Sequence, residues 1–210
     1  TGVRYTSTAM VSIIIATIPV FSLMFGFWIL QEKAHPVALA GIILSLAGVY
    51  FVVSVQSESF LAPNPLLGNL MTLGAAISAG MYNVLCRRLT RTYSPWTITY
   101  YQAMVASVIF LPLAILESTT LHETYLNWEI VIAVLYLAAG SSVAAYLILN
   151  YSLSKLPTYQ VATFANLIPV VTISASWLFY RELLSLLQLI GAFIVIMGIS
   201  LVYFRRLDNE

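Results

Sequence analysis

Long stretches without a charged residue dominate this sequence. They occupy residues 5–31, 34–57, 59–86, 92–116, 130–154, 156–180 and 183–204, and even the shortest has 22 residues. An α-helix needs about 20 apolar residues to cross the hydrocarbon core of a bilayer. Only 8% of the residues are charged, which is too few to cover the surface of a water-soluble domain. The charge-free runs therefore predict seven transmembrane segments.

The composition of these segments favours helices over the strands of a membrane barrel. Barrel strands are about 10 residues long and alternate apolar with polar residues, whereas "LQLIGAFIVIMGISLV" is continuously apolar. Start signals at Pro36, Pro65, Pro95 and Asn127 mark helix beginnings. We predict an all-α polytopic transmembrane bundle with helices, numbered α1 to α7, over 7–31, 36–55, 65–91, 95–116, 128–154, 157–180 and 184–204.

The basic residues predict an orientation in the membrane. Cytoplasmic loops carry an excess of Lys and Arg, and a cytoplasmic C-terminus leaves only Arg4 and Arg181 of the nine basic residues outside. We expect an integral protein of the cell (inner) membrane, with the lipid bilayer as a partner. The formal charge of +1 gives no support for nucleic-acid binding. A homo-oligomer is left open.

Several residues recur at a fixed offset of 150 positions. The recurring pairs are Pro19 and Pro169, Glu32 and Glu182, Gly41 and Gly191, and Gly48 and Gly198. The predicted orientation makes the two copies inverted, because the α1–α2 loop lies inside and the α6–α7 loop outside. Inverted repeats are a recurrent construction of secondary transporters, in which the substrate lies between the two halves near the midplane of the membrane.

The offset spans five predicted helices, so each repeat has five. Residues 1–56 are then the last two helices of a first repeat, and residues 65–207 are a complete second repeat. This organisation predicts a ten-helix fold, of which seven helices are present and three precede Thr1.

The segment "VRYTSTAMVSIIIATIPVFSLMFGFWILQEKAHPVALAGIILSLAGVYFV" resembles the EamA-type unit of the drug/metabolite transporter superfamily. The shared pattern is a Thr-Ser-Ala helix start, a central proline, a glutamate at the next turn and glycines in the following helix. Residues 156–203 match more loosely, with Tyr159 and Gln160 where small residues are common. Helix α3 is similar to the family's sixth helix, which ends in a basic pair, here Arg87 and Arg88.

The resemblance implies a permease or exporter of small organic metabolites with two inverted five-helix halves around a central cavity. It places α1, α3, α5 and α6 against that cavity and α2 and α7 at the periphery. It does not indicate the substrate, the direction of transport or a coupling ion.

The prolines of α1 and α6 are candidate hinges. A proline in a helix interior costs about 3 kcal/mol, because it removes an N–H group and displaces the carbonyl four residues earlier. Here those carbonyls belong to Ile15 and Ala165, preceding Pro19 and Pro169. A static packing kink is the alternative, since transmembrane helices tolerate proline.

Two glutamates lie just after α1 and α6. Glu32 and Glu182 are either a gate or proton-sensitive pair, or helix-end groups that accept hydrogen bonds from free N–H groups at the start of the following helix. Each has a basic neighbour, Lys33 or Arg181, which favours the structural interpretation. Gly41 and its partners at a spacing of seven indicate a close packing surface between helices.

Uncharged polar residues at membrane depth are the candidate substrate contacts, because an unsatisfied polar atom is costly in lipid. Interhelical hydrogen bonding is the alternative role for every one of them. The first candidate is Asn166, which lies one turn before Pro169. The full set is Asn166, Tyr159, Thr163, Ser142, Tyr146, Asn150, Tyr82, Asn83 and Gln102.

The sequence contains no arrangement that indicates catalysis. It has no nucleophile with a matched base, no phosphate-binding glycine loop and a single cysteine, so we expect no enzymatic activity, cofactor or metal. The leading hypothesis is an alternating-access transporter of a small-molecule substrate. The alternatives are a seven-helix membrane receptor or sensor, which predicts no internal repeat, and an intramembrane enzyme, which needs ionisable groups at depth.

Overall fold

The chain folds into membrane-length α-helices. A computed structural model describes residues 5–54, 64–118, 128–180 and 185–204. Four of the helices are Pro36–Val53 (α2), Pro65–Leu89 (α3), Pro95–Ser118 (α4) and Leu186–Phe204 (α7). The other three are built from consecutive segments and cover 8–30 (α1), 128–155 (α5) and 158–180 (α6). These seven helices confirm the predicted all-α bundle within the described residues.

The helix starts follow the predicted signals. The side chain of His35 accepts a hydrogen bond from the N–H of Val37 at 3.3 Å before α2. Asn64 accepts from Leu67 at 3.1 Å before α3, and Ser94 accepts from Thr97 at 3.2 Å before α4. A proline at the first helical position has no N–H to leave unsatisfied. Asn127 lies outside the described residues.

Five helical stretches are long and apolar enough to cross a membrane. They are Met10–Leu30, Pro36–Val53, Trp128–Lys155, Thr158–Phe179 and Leu186–Tyr203. Helices α3 and α4 have 25 and 24 residues, which is also sufficient length for a span.

The chain divides into two compact units. The first contains Thr1–Leu85 and Leu156–Glu210, and the second contains Cys86–Lys155. This division reflects packing within each unit. The predicted repeat boundary between residues 56 and 65 describes an internal duplication of the sequence. The division by packing does not test it, so the boundary stays a prediction.

Helices α2 and α7 pack backbone against backbone in the first unit. A Cβ atom added to Gly41 would lie 2.6 Å from the carbonyl oxygen of Gly198, and one added to Gly48 would lie 2.8 Å from that of Gly191. Real Cβ atoms do not approach so closely, so only glycine fits here. The packing interpretation of the four glycines is confirmed, as small residues allow close helix contact in membranes.

The contacts of this helix pair are reciprocal. Gly41 lies against Val202, and Gly191, its equivalent at the 150-residue offset, lies against Val52, the equivalent of Val202. Gly48 likewise faces the backbone of Val195. A two-fold axis between equivalent segments produces such exchanged contacts. Helices α2 and α7 therefore have approximate two-fold symmetry.

Helices α1 and α6 are interrupted at equivalent places. In α1, the segments Thr8–Ile15 and Ile18–Phe25 are separated by two residues. In α6, the segment Thr158–Thr163 passes through a 3-10 turn, Phe164–Leu167, into Ile168–Tyr180. Pro19 and Pro169 are each the second residue of the segment that follows the interruption. Since proline donates no N–H, the preceding helical ladder ends there.

Two wider π-helical turns were not predicted from the sequence. Gly26–Leu30 ends α1, and Leu137–Ala144 lies in the middle of α5. A π-turn inserts extra residues into a helix and rotates the faces that follow it. The α5 turn therefore changes which side chains share one face of that helix.

Candidate functional site

The two interrupted helices meet at a cavity in the first unit. Its volume is about 200 Å³. It is lined by Val11, Ser12, Ile15, Ala16, Ala165, Ile168 and Pro169. The carbonyl of Ala165, predicted to be displaced by Pro169, accepts a hydrogen bond from the N–H of Ile168 through the 3-10 turn. The cavity thus lies where both copies of the repeat lose regular helical geometry.

Asn166 lies in this turn and joins α6 to α2. Its side chain is fully buried, and its Nδ2 donates to Ser45 Oγ at 2.8 Å. The two-fold-equivalent positions are Ala16 and Val195, which pack in an apolar cluster. The hydrogen-bonded pair of Asn166 and Ser45 therefore has apolar residues at its symmetry-equivalent positions. Asn166 is not among the lining residues of the cavity.

We expect Asn166 and Ser45 to be coupled in stability. The Asn166→Ala change should lower the free energy of unfolding by about 1 kcal/mol, because interhelical hydrogen bonds in membrane proteins have roughly that value. A double-mutant cycle with Ser45→Ala, measured by unfolding in mixed micelles, should give a coupling energy of about 0.6–1.5 kcal/mol. Additive single changes would mean that the bond contributes nothing to stability.

A second buried polar group joins the end of α1 to the start of α6. Oε2 of Glu32 accepts hydrogen bonds from the backbone N–H of Thr158 at 3.0 Å and from its Oγ1 at 2.7 Å. A carboxylate at a helix N-terminus is stabilised by the free N–H groups there. The helix-end interpretation had placed Glu32 on the following helix, α2. The described contacts lie at the N-terminus of α6, and Gln31, the residue before Glu32, has a left-handed backbone (φ 56°).

The same group extends to α3 through Ser22. The Oγ1 of Thr158 lies 3.1 Å from the carbonyl oxygen of Ser22, and Asn83 Nδ2 donates to Ser22 Oγ at 3.1 Å. Ser22 and Thr158 are fully buried and Asn83 is nearly so. Polar side chains from α1, α3 and α6 thus form one connected network.

The second unit contains its own polar cluster. Asn150 is fully buried, and its Nδ2 donates to Thr99 Oγ1 and to Gln102 Oε1, each at 3.0 Å. Gln102 Nε2 donates to Cys86 Sγ at 3.1 Å. Gln102 also lines an open groove of about 710 Å³ along α4. The cluster holds α3, α4 and α5 together within this unit.

The remaining candidates fall into different environments. Tyr159 packs with Ala38, Ile42 and Val202, and the Thr163 hydroxyl donates to Tyr159 O of its own helix at 2.6 Å. Tyr82 is half-buried on α3. Ser142 and Tyr146 are exposed, whereas Asn150 is buried, so the predicted stripe on α5 does not share one environment. Glu182 lies outside the described residues.

Sequence reasoning did not identify Ser22, Ser45 and Thr158 as members of these networks. Each is a small hydroxyl residue inside a charge-free run, where many similar residues bond only to their own helix. Thr158 carried one signal, because Thr8 occupies the equivalent position at the 150-residue offset. Ser22 carried the same kind of signal, because its equivalent is the hydroxyl residue Thr172, whereas Ser45 has Val195 at its equivalent and carried none.

These features define the class as a polytopic α-helical membrane protein with interrupted helices around an internal cavity. The EamA-like transporter family model matches residues 1–54 and 66–204. The chain therefore belongs to the EamA-like transporter family, and the resemblance seen in the sequence is confirmed.

Individual relatives carry transporter names. The chain is 29% identical over 209 residues to the uncharacterized transporter YcxC of Bacillus subtilis, covering 94% of this chain and 65% of the relative. It is 29% identical over 200 residues to an uncharacterized transporter of Archaeoglobus fulgidus, covering 95% and 68%. A probable amino-acid metabolite efflux pump of Escherichia coli is 25% identical over 188 residues, covering 85% and 62%. The chain spans about two thirds of the length of these relatives.

One solved crystal structure superposes over most of the chain. The TM-score is 0.81 at 18% sequence identity, and the match covers 99% of this chain and 71% of the other. The two proteins share a fold.

Proposed function

We propose that the whole protein is a secondary transporter that moves a small organic solute by alternating access between two inverted repeats. Residues 1–56 supply the last two helices of the first repeat, and residues 65–207 supply the second. The substrate passes along α1 and α6. The C-terminus is cytoplasmic, in line with the distribution of basic residues.

The observation that carries this proposal is the pair of interrupted helices. They break at positions that differ by the 150-residue offset, and both breaks line one cavity. Irregular backbone at membrane depth is tolerated where it is buried in protein or lines a cavity, and transporters use discontinuous helices at substrate sites. The reciprocal packing of α2 and α7 supports an inverted relation between the copies.

The first substrates to test are amino acids and their metabolites. Relatives from Escherichia coli and Salmonella typhimurium, each 25% identical to this chain, are named probable amino-acid metabolite efflux pumps. The polar groups near the pathway of this chain are uncharged amides and hydroxyls, apart from Glu32. Such groups suit a moderately polar solute.

Proteoliposomes containing the full-length protein test this function. Counterflow of labelled amino acids and related metabolites should exceed that of protein-free liposomes for at least one compound, and unlabelled compound should compete. Uptake into inverted vesicles and right-side-out vesicles then gives the direction. A correctly inserted full-length protein that exchanges no member of a broad metabolite panel would contradict the proposal.

A further inference from the structure

The contact between Glu32 and Thr158 links the two copies of the repeat at one membrane boundary. Glu32 follows the last turn of α1, and Thr158 is the first residue of α6, 126 positions later. Glu32 is half-buried, while the flanking Gln31 and Lys33 are exposed. The contact therefore lies at the edge of the protein interior, where a pathway between α1 and α6 would open.

We propose that Glu32 and Thr158 form a latch that closes the transport pathway at this end of α1 and α6 and opens when the repeats move. The inference rests on the proposed function and adds to it the residues that control access on one side. We use the word latch for the two hydrogen bonds that Glu32 Oε2 accepts from Thr158.

The Thr158 hydroxyl has an acceptor in either state. It has one hydrogen but two acceptors within reach, Glu32 Oε2 at 2.7 Å and the Ser22 carbonyl oxygen at 3.1 Å. When Glu32 leaves, the hydroxyl donates to the Ser22 carbonyl, and only the backbone N–H of Thr158 loses its acceptor. Opening therefore breaks two hydrogen bonds but leaves one donor without a partner instead of two, which lowers its cost, because an unmade buried hydrogen bond is the main cost of such a motion.

The backbone around Glu32 places its carboxylate beside Thr158. Gln31 is the only non-glycine residue with positive φ in the described part of the chain, and that conformation is unfavourable for an L-residue. The backbone N–H groups of Gln31 and Glu32 both reach the carbonyl of Gly26 across the π-turn. A Cβ atom at Gly26 would lie 2.7 Å from Thr158 Oγ1 and 3.0 Å from Glu32 Oε2. The turn is therefore strained, and any side chain at position 26 would collide with the latch.

The test uses thiol accessibility in the full-length protein. Ala165 lines the cavity and is replaced by cysteine in a Cys86→Ser background, so that a single reporter thiol remains in this part of the chain. A membrane-impermeant maleimide is applied from each side of the membrane. We expect Thr158→Val to raise the labelling rate from the Glu32 side roughly tenfold, as expected for the loss of a hydrogen bond to a charged group, and to lower it from the other side.

Matched variants separate the latch from a general loss of structure. Thr158→Ser keeps the hydroxyl and should label like the wild type. Thr72→Val removes another buried hydroxyl, which donates to Gly68 O of its own helix at 2.8 Å, and should leave labelling unchanged. If Thr158→Val does not accumulate, Glu32→Gln keeps the size of the side chain and should give a smaller increase.

The outcomes distinguish the latch from the proposed function. Unchanged labelling in Thr158→Val and Glu32→Gln, in a protein that transports solute, would overturn the latch alone. Shifted labelling in a protein that transports nothing would support the latch as a conformational contact and contradict the transport proposal.

Discussion

Replacing Gly198 by valine is expected to lower the free energy of unfolding by about 3 kcal/mol, the upper part of the usual range for overpacking. A Cβ atom at this position would lie 2.5 Å from the backbone nitrogen of Ser45 and 2.7 Å from the carbonyl oxygen of Gly41. Both atoms belong to the backbone of a packed helix, so neither can rotate away as a side chain would. Helices α2 and α7 must separate, and the apolar cluster beside them loses its contacts. Unfolding of the purified protein in mixed micelles measures the loss.

Gly74→Ala is the matched control. No heavy atom outside its own helix would come within 4 Å of the added Cβ. Alanine is a better helix former than glycine by about 1 kcal/mol, so this variant should be as stable as the wild type or more so. Gly48→Val should be as damaging as Gly198→Val, because the two glycines occupy equivalent places in the reciprocal contact. Similar effects at Gly74 and Gly198 would show that the loss at Gly198 is not due to helix contact.

The helix boundaries could be predicted closely from the sequence. In lipid, a backbone must satisfy its own hydrogen bonds, so a long charge-free run has few alternatives to a helix. Proline and polar caps then fix where each helix begins. The start of α3 at Pro65 and the start of α4 at Pro95 are as predicted. The glycine packing of α2 and α7 was also predicted, because only small side chains allow such close contact.

The π-turns and the side-chain networks could not be predicted in the same way. The stripe of Ser142, Tyr146 and Asn150 assumed a regular helix, but Ser142 lies inside the π-turn of α5 and is exposed. A π-turn rotates the faces that follow it, so a spacing of four residues no longer places side chains on one face. The hydrogen-bond partner of a buried polar residue depends on the tertiary fold. The polar residue can be identified in the sequence, but its partner cannot.

Asn166 illustrates the difference between finding a residue and assigning its role. Its polarity in an apolar run left two roles open, a substrate contact and an interhelical hydrogen bond. The neighbouring proline suggested a place on the substrate pathway. In the structure the side chain points its Nδ2 at Ser45 of α2, whereas Ala165 and Ile168 of the same turn line the cavity. A 3-10 turn places successive residues about a third of a revolution apart, so neighbours in sequence face different surroundings.

The combined change of Pro19→Ala and Pro169→Ala is expected to lower the transport rate of the full-length protein at least about tenfold. Each proline ends a helical ladder at the cavity, and removing it favours a continuous helix by about 3 kcal/mol, or roughly a hundredfold at each site. Both helices would then become more regular, and the cavity lined by Ile15 and Ala165 would lose its shape. Counterflow in proteoliposomes measures the rate at equal protein content.

Pro112→Ala controls for the loss of a proline in a membrane helix. Pro112 lies inside α4, which continues from Pro95 to Ser118 without an interruption, so this proline does not divide its helix into separate segments. The variant should transport at the wild-type rate. If the double variant also transports normally, the two prolines are packing features and the pathway does not depend on the interruptions. If it loses transport while remaining as stable as the wild type, the broken geometry of α1 and α6 is required for movement of the solute rather than for folding.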